Sequence, residues 1–270
     1  MTAVRRGGTE LRYQESGMGD PVVLVMGTGS PGRVWHLHQV PALVAAGYRA
    51  VTFDARGVVP VPLDVEPDGF TLEDLVEDVA ALIEHLGGGP AAVVGTSLGG
   101  RVVQELALAR PDLVRRAVAM AGHARLDPVQ RMLTRGEQEL FDQRVALPPA
   151  YRAAVTAVLN LSPATLRDEG AVRDWLDIFE MSASPMTSGA RTQRAVSMEL
   201  HDRREAYRAI RVPTLVIGFA DDVMIPTYLC REVVDAIPGA RYAEVPDTGH
   251  FGYLERPEEV NALLLDFLAE

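Results

Sequence analysis

The chain is poor in cysteine, in positive charge and in long apolar runs, and each shortage excludes a class of protein. Its 270 residues include one cysteine, Cys230, so no disulfide can form within the chain, which is typical of a reducing compartment. The formal net charge is −11, whereas nucleic-acid binding requires clustered positive charge. No apolar run approaches the roughly 20 residues that span a bilayer, and no apolar segment follows the charged N-terminus. We therefore expect a cytoplasmic protein with neither a nucleic-acid nor a membrane partner.

The sequence also lacks the spacing of zinc ligands and a phosphate-binding loop, so no metal and no cofactor are predicted. Its length suits one large α/β domain or two small domains, and its 47% hydrophobic and 23% charged residues are ordinary for a globular protein. Apolar strands alternate with amphipathic helices over residues 11–120 and again over residues 214–268. This alternation predicts an α/β fold with a mostly parallel sheet and helices on both faces.

Between these two regions the strand signals disappear and helical patterns take over. The predicted helices are Pro128–Arg144, Pro149–Leu159, Gly170–Met181 and Ser188–Arg208. We interpret residues 126–208 as a helical insertion in one core domain that comprises residues 1–125 and 209–270. In open sheets of this type ligands bind beyond the carboxyl ends of the strands, so the loops that follow strands are the places to look for chemistry.

One of these loops contains Gly-Thr-Ser-Leu-Gly at residues 95–99, between an apolar strand and a helix predicted over Leu98–Ala109. Gly-x-Ser-x-Gly in this setting is the nucleophile-elbow pattern, in which the serine is exposed on a tight turn. Gly95 and Gly99 fit such a turn because a side chain at either position would collide with it. Ser97 is therefore the candidate nucleophile.

Two later strand ends supply a candidate acid and a candidate base. Asp221 and Asp222 follow one predicted strand, and His250 follows the next. A histidine can take the proton of a serine hydroxyl, and a buried carboxylate can orient that histidine. The chain order Ser, Asp, His is the order expected for this kind of sheet. Asp222 is the favoured acid because it stands four residues before Pro226, and Asp221 is the alternative.

Together these motifs resemble those of the α/β-hydrolase superfamily, and the resemblance extends over nearly the whole chain. In that family the acid lies in Gly-x-x-(x)-Asp-x-x-x-Pro, which Asp222 and Pro226 match. The family histidine lies in Gly-His-x-x-x-x-Glu-x-Pro, which is matched by Gly249, His250, Glu255 and Pro257. The helical cap of the family matches the predicted insertion. The resemblance implies the α/β-hydrolase fold and a catalytic triad of Ser97, His250 and Asp222.

The predicted oxyanion loop departs from the family pattern. Family members often carry His-Gly after the early strand, whereas this chain has Met26, Gly27, Thr28 and Gly29 there. An oxyanion hole requires backbone N–H groups, so the missing histidine does not abolish it. By position we assign the N–H groups of Leu98 and Thr28 to the hole, with Gly29 as the alternative to Thr28. Met26, Gly27 and Gly29 are also expected to contact the substrate.

A second departure lies in the next loop, where the family commonly shows Asp-x-Arg-Gly-x-Gly-x-Ser. Here the Asp-Ala-Arg-Gly of residues 54–57 is followed by the apolar, proline-containing residues 58–62. We expect this loop to reshape one wall of the pocket, with a neutral loop change as the alternative.

Four further residues are candidates for substrate binding. His123 ends a strand close to the elbow, and a structural histidine is the favoured alternative. Trp175, Met181 and Met198 lie in the predicted cap, where they would form an adaptable apolar pocket or pack the cap itself. A cationic group at helical spacing fits a phosphopantetheine arm, a carrier protein or, as the favoured reading, a solvated helix face. This group consists of Arg194, His201, Arg204 and Arg208.

The resemblance implies an esterase, thioesterase or acyltransferase that forms an acyl-enzyme on Ser97. A serine at the elbow disfavours dehalogenase and epoxide-hydrolase chemistry, which use an elbow aspartate in this superfamily. The composition, rich in Arg, Ala, Val and Pro and free of lysine, resembles that of a high-GC actinobacterial protein. Stand-alone α/β-hydrolases of that kind often resemble tailoring or release enzymes of natural-product pathways, which act on carrier-bound acyl groups. We therefore expect a small-molecule acyl substrate, with an acyl carrier protein as a candidate partner. Two alternatives stay open, a cofactor-free carbon–carbon hydrolase or lyase and a non-catalytic ligand-binding homologue.

Overall fold

The computed structural model describes residues 2–6, 9–58, 69–87, 89–182, 187–199 and 201–270. Within them eight strands form a single sheet. The strands are β1 (Thr2–Arg6), β2 (Thr9–Ser16), β3 (Pro21–Val25), β4 (Arg49–Phe53), β5 (Ala91–Thr96), β6 (Val114–Met120), β7 (Thr214–Phe219) and β8 (Arg241–Val245). Their order is β1-β2-β4-β3-β5-β6-β7-β8. Strand β2 is antiparallel to both of its neighbours, β1 and β4, and every other neighbouring pair is parallel. This order confirms the predicted mostly parallel sheet.

Six α-helices of the described residues alternate with the strands. They are α1 (Gln39–Ala45), α2 (Leu72–Leu86), α3 (Leu98–Ala109), α10 (Thr227–Ala236), α11 (Gly252–Glu255) and α12 (Pro257–Ala269). Helix α2 shows how the sequence sets such a helix. The Thr71 hydroxyl accepts a hydrogen bond from the Asp74 N–H at 3.2 Å, and the Asp74 carboxylate accepts one from the Thr71 N–H at 3.0 Å. This capping box satisfies two backbone donors that the first turn leaves without helical acceptors.

Another six helices lie between β6 and β7, and no strand occurs in the described residues of this stretch. They are α4 (Pro128–Asp142), α5 (Pro149–Asn160), α6 (Pro163–Arg167), α7 (Glu169–Met181), α8 (Ser188–Met198) and α9 (Arg204–Tyr207). We call these helices the cap. Its division from the core as a domain of residues 126–208 stays a prediction.

The strands that carry the predicted site are buried along their whole length. Every residue of β3, β5 and β7 is buried, as expected for the near-continuous apolar runs of central parallel strands. The carboxyl ends of parallel strands meet at one edge of the sheet, so the loops after β3, β5, β7 and β8 meet there too.

The structure differs from the sequence prediction at several elements. Strand β1 and the short helices α6 and α11 were not predicted. The sequence pattern predicts one helix over residues 34–46, with Gly47 as its stop. The structure instead has a 3-10 segment at Gly32–Leu37 followed by α1, because Pro41 has no N–H to donate to the carbonyl four residues earlier. The helix predicted over residues 188–208 is divided into α8 and α9. Before α9 the Asp202 carboxylate accepts a hydrogen bond from the Arg204 N–H at 3.0 Å, a local bond that competes with helix continuation.

A buried glutamine joins the first part of the core to the last. Gln39 in α1 is fully buried, and its Nε2 donates to the Tyr253 carbonyl at 2.9 Å and to Asn261 Oδ1 at 3.2 Å. The Asn261 amide in turn donates to the carbonyl of His38 at 3.3 Å. Helices α1 and α12 are thereby held together by side chains more than 200 positions apart.

In the part of the chain that the structure describes, no helix has both the length and the apolar composition that a membrane span requires.

Candidate active site

Ser97 occupies a strained turn between β5 and α3. Its φ is +57°, a value that is uncommon for a residue other than glycine. The Ser97 N–H donates to the Met120 carbonyl at 2.9 Å, which fixes the turn against the neighbouring strand. A Cβ on Gly95 would lie 2.2 Å from the Gly99 carbonyl oxygen, and one on Gly99 would lie 2.1 Å from that of Val25. The two glycines are therefore required by the close approach of backbone to backbone.

The loops after β7 and β8 bring a histidine and an aspartate together. His250 Nδ1 lies 2.7 Å from Asp222 Oδ2. The second oxygen of Asp222 accepts hydrogen bonds from the N–H groups of Met224 and Ile225, both at 2.8 Å. The Asp222 side chain is fully buried, and that of His250 is 11% exposed. The structure thus joins Asp222 to His250, whereas Asp221 is half-buried and its N–H is bonded to the Thr248 carbonyl.

The carboxylate of Glu255 holds the histidine loop against the cap. One oxygen accepts from the Gly249 N–H at 2.6 Å, and the other accepts from the Ser162 N–H at 2.9 Å. The Phe251 N–H donates to the carbonyl of Asn160 at 3.0 Å. The residues on either side of His250 are therefore fixed by the α5–α6 junction of the cap.

The predicted oxyanion loop is a β-turn that lies directly on Ser97. The Ser30 N–H donates to the Gly27 carbonyl at 3.2 Å, and Gly29, at φ +70°, occupies the third position of the turn. A Cβ on Gly27 would lie 3.3 Å from the Cβ of Ser97. This contact is tight, so a side chain at position 27 would require Ser97 to shift by a few tenths of an ångström.

Two N–H groups of this region have no acceptor among the described residues. The Thr28 N–H makes no backbone or side-chain hydrogen bond there. The N–H of Leu98, the first residue of α3, has no acceptor within its helix. The Gly29 N–H, the alternative donor predicted from the sequence, is instead bonded to Gln193 Oε1 at 2.7 Å. Thr28 and Leu98 are thus the pair with free donors, although their assignment to an oxyanion hole stays a prediction.

Aromatic rings from the cap approach the histidine loop. The ring centroids of Trp175 and Phe179, both in α7, are 6.4 and 6.2 Å from that of Phe251. The Phe251 ring is in turn 6.3 Å from the imidazole of His250. Sequence reasoning singled out Trp175 but missed Phe179, which lies one helical turn later on the same face. It also missed Phe251, beside the histidine.

The other predicted pocket residues are spread more widely. Met26 is buried, Met198 is half-buried, and the side chain of Met181 is 89% exposed, so the structure does not enclose it in a pocket. His123 is buried, and its Nδ1 lies 3.4 Å from the Ala121 carbonyl. Burial, with a smaller contribution from the charge of Arg101, lowers the pKa of His123 to about 3, so its imidazole is neutral at pH 7. The substrate-binding roles of all four remain predictions.

The predicted cationic group is divided between elements, because Arg194 lies in α8 whereas Arg204 lies in the separate helix α9. Arg194 pairs with Glu137 at 3.1 Å, and Arg208 pairs with Glu205 at 2.9 Å. Arg204 pairs with Asp202 at 2.5 Å. Of the loop at residues 58–62, the positions from 59 onward lie outside the described residues. No group of three His, Cys, Asp or Glu side chains in the described ranges is arranged to hold a metal ion.

Comparison with known proteins gives a consistent relationship over most of the chain. A family model described as "Alpha/beta hydrolase family" matches residues 22–263. A Mycobacterium tuberculosis protein named "Putative non-heme bromoperoxidase BpoC" is 48% identical over 259 residues, which cover 96% of this chain and 97% of that protein. Its crystal structure matches with a TM-score of 0.90 over 96% of this chain and 95% of that one.

Two more distant relatives bear the names of hydrolytic enzymes. A protein of Azorhizobium caulinodans named "Putative carbamate hydrolase RutD" is 30% identical over 98% of this chain and 97% of its own length. The crystal structure of the enol-lactonase from Burkholderia xenovorans LB400 has a TM-score of 0.82 and 26% identity, and it covers the full length of both chains.

Proposed function

The chain belongs to the alpha/beta hydrolase family of enzymes, and from this premise we propose that it transfers or hydrolyses acyl groups through an ester on Ser97. The observation that carries the proposal is the 2.7 Å contact between His250 Nδ1 and Asp222 Oδ2, at the edge of the sheet where the Ser97 elbow also lies. A carboxylate on Nδ1 keeps the proton on that nitrogen and leaves Nε2 free to act as a base.

In the proposed reaction His250 Nε2 removes the proton of the Ser97 hydroxyl as Oγ attacks the substrate carbonyl. The tetrahedral oxyanion receives hydrogen bonds from the N–H groups of Thr28 and Leu98. Collapse of this intermediate breaks the bond to the leaving group, which takes the proton from His250. Water or another acceptor then attacks the acyl carbonyl and gives its proton to His250, which passes that proton to Ser97 Oγ as the ester bond breaks. Asp222 stabilises the imidazolium that forms in both halves.

We propose a small, partly apolar ester, thioester or lactone as the substrate class. The aromatic rings of Trp175, Phe179 and Phe251 next to His250 supply an apolar surface on the cap side. The names of two relatives specify a carbamate and an enol-lactone, in both of which a carbonyl carbon bears a heteroatom leaving group. A free small molecule is favoured over a carrier-bound group, because the arginines that would meet a carrier are paired with carboxylates.

Labelling with a fluorophosphonate tests this proposal, because the reagent forms a bond only with an activated serine. We expect one adduct per chain, located at Ser97 by peptide mass spectrometry, and hydrolysis of short p-nitrophenyl esters. Ser97→Ala should abolish both. Labelling that persists in Ser97→Ala, or a folded wild-type protein that takes no label, would be incompatible with the acyl-enzyme route, and turnover without Ser97 would instead indicate lyase chemistry.

The 48% identity to a protein named as a bromoperoxidase favours a second candidate, bromide oxidation by peroxide. If hydrogen peroxide replaces water as the acceptor, the same acyl-enzyme yields a peroxyacid and free Ser97. The peroxyacid then oxidises bromide to hypobromous acid and is itself reduced to the carboxylic acid. In a dye-bromination assay with bromide, peroxide and acetate, we expect activity that requires Ser97 and the carboxylic acid. Bromination by Ser97→Ala at the wild-type rate would rule out this serine route.

A further inference from the structure

Gln193 of α8 is a cap residue that bonds to two core loops at once. Its side chain is 1% exposed. Its Oε1 accepts a hydrogen bond from the Gly29 N–H at 2.7 Å, and its Nε2 donates one to the Arg56 carbonyl at 2.7 Å. A small cavity of about 10 Å³ is lined in part by Gln193, Met26 and Leu98. The glutamine therefore lies beside both segments from which the oxyanion donors are proposed to come.

The loop that contains Arg56, to which Gln193 Nε2 donates, is itself anchored to the core. The Arg56 guanidinium donates to both oxygens of Asp78, at 2.9 and 2.7 Å, and Asp78 is 2% exposed. Next to Arg56, a Cβ on Gly189 of α8 would lie 2.1 Å from the carbonyl oxygen of Gly57. The start of α8 is thus in backbone contact with this loop, and Gln193 extends from the same helix.

The predicted oxyanion loop, which Gln193 Oε1 contacts, is held to its surroundings at two points. The Gly32 N–H donates to Asp54 Oδ1 at 2.8 Å, which anchors the far end of the turn to the core. The near end is anchored at Gly29 by Gln193. The Thr28 N–H belongs to the Gly27–Thr28 peptide, which adjoins the Thr28–Gly29 peptide whose N–H is bonded to Gln193. That bond, together with the turn hydrogen bond from the Ser30 N–H to the Gly27 carbonyl, restrains the orientation of the Thr28 N–H.

We infer that Gln193 is a positioning residue that holds the Thr28 N–H in place from the cap. This inference rests on the proposed acyl chemistry of Ser97. If Gln193 has this role, stabilisation of the transition state depends on the position of α8 against the core as well as on the core itself. A donor displaced by about 1 Å loses much of its effect on a developing charge, and such misplacement can cost about 100-fold in rate.

The test is Gln193→Met, which keeps the volume of the side chain and removes both hydrogen bonds. With p-nitrophenyl acetate we expect kcat to fall about 10- to 100-fold while KM stays within about threefold. The inhibition constant of phenylboronic acid, whose serine adduct places an oxygen in the oxyanion hole, should rise by the same factor as kcat falls. Gln193→Glu retains an acceptor for the Gly29 N–H, so it should keep more of kcat than the methionine variant.

Thr192→Val is the matched control, because the Thr192 hydroxyl donates to Ser188 within α8 and to neither loop. It should leave kcat and the boronate inhibition constant unchanged. The inference is overturned if Gln193→Met keeps both values within twofold, or if it lowers Tm and raises KM without changing the boronate constant. If the methionine variant does not fold, Gln193→Ala, which also removes both hydrogen bonds, takes its place, and a kcat and boronate constant within twofold of the wild-type values overturn the inference. Failure of the wild-type protein to react with fluorophosphonate would instead refute the proposed function. The two failures can be told apart, because the labelling result is obtained on the wild-type protein before any variant is compared.

Discussion

Replacing His250 with glutamine is expected to lower kcat for ester hydrolysis by about 10⁶-fold, since without a base the Ser97 hydroxyl is a weak nucleophile. That loss corresponds to about 8 kcal/mol of transition-state stabilisation. The substitution leaves the contacts of Phe251 with Trp175 and the hydrogen bonds of Glu255 in place, so KM should change little. Steady-state kinetics with p-nitrophenyl acetate checks both quantities, and a fall of less than about 100-fold would contradict the assignment of His250 as the base.

Substitution of the acid, Asp222, tests the role of His250 without removing its imidazole. In Asp222→Asn the amide oxygen is expected to keep the two bonds from the N–H groups of Met224 and Ile225. The amide NH₂ then faces His250 Nδ1, so that nitrogen becomes the acceptor and the proton moves to Nε2. A histidine in this tautomer cannot accept the proton of Ser97, and kcat should fall by about 10⁴-fold.

Asp221→Asn is the matched control for the acid, because Asp221 is the adjacent residue and has no bond to His250. We expect its kcat to remain within about twofold of the wild-type value. A large effect of Asp221→Asn together with a small effect of Asp222→Asn would show that Asp221, and not Asp222, is the acid that orients His250.

Gly99→Ala is expected to have the largest effect on stability. The added Cβ would lie 2.1 Å from the Val25 carbonyl oxygen and 2.7 Å from that of Met26, and neither backbone atom can move without displacing β3 or the oxyanion loop. We expect a loss of about 3 to 5 kcal/mol in the free energy of unfolding, at the upper end of single substitutions. For a chain of this size each kcal/mol lowers Tm by roughly 2 to 4 °C.

Gly136→Ala is the control for a methyl group added to a glycine. Gly136 lies within α4, and apart from the adjacent backbone of that helix no atom of the described residues lies within 4 Å of the position of its Cβ. This variant should gain about 0.5 to 1 kcal/mol, because alanine loses less entropy than glycine in a helix. Thermal unfolding of the wild type, Gly99→Ala and Gly136→Ala measures both changes in stability. A Gly99→Ala protein as stable as the wild type would mean that the elbow is not packed as described.

Local sequence patterns predicted those parts of the molecule that local interactions determine. Helix α3 has the predicted bounds, because its start is set by the elbow and its end by Pro111. The strand ends also carry the predicted serine, aspartate and histidine. The helix predicted over residues 34–46 failed at Pro41, where the missing N–H outweighs an apolar pattern.

Contacts between distant parts of the chain could not be predicted in this way. Gly29 and Gln193 are 164 positions apart, and no feature around position 193 identifies the acceptor of the Gly29 N–H. For Glu255, the family motif included the residue but did not show that its second oxygen bonds to Ser162 of the cap. Phe251 and Phe179 were missed for the same reason, since their partners lie on separate elements. Such pairings depend on tertiary geometry, which the local pattern does not contain.

The buried amide of Gln39 links the completion of the fold to the order of synthesis. Its acceptors, the Tyr253 carbonyl and Asn261 Oδ1, are made 214 and 222 residues after it. At translation rates of about 5 to 20 residues per second, roughly 10 to 40 s pass before these groups exist. During that time the Gln39 amide has neither of these acceptors, so the bonds that hold α1 against α12 form only after the C-terminal segment is made. The nascent chain therefore presents an unfinished apolar face until the ribosome reaches the last helix, and this interval is when it most needs protection from aggregation.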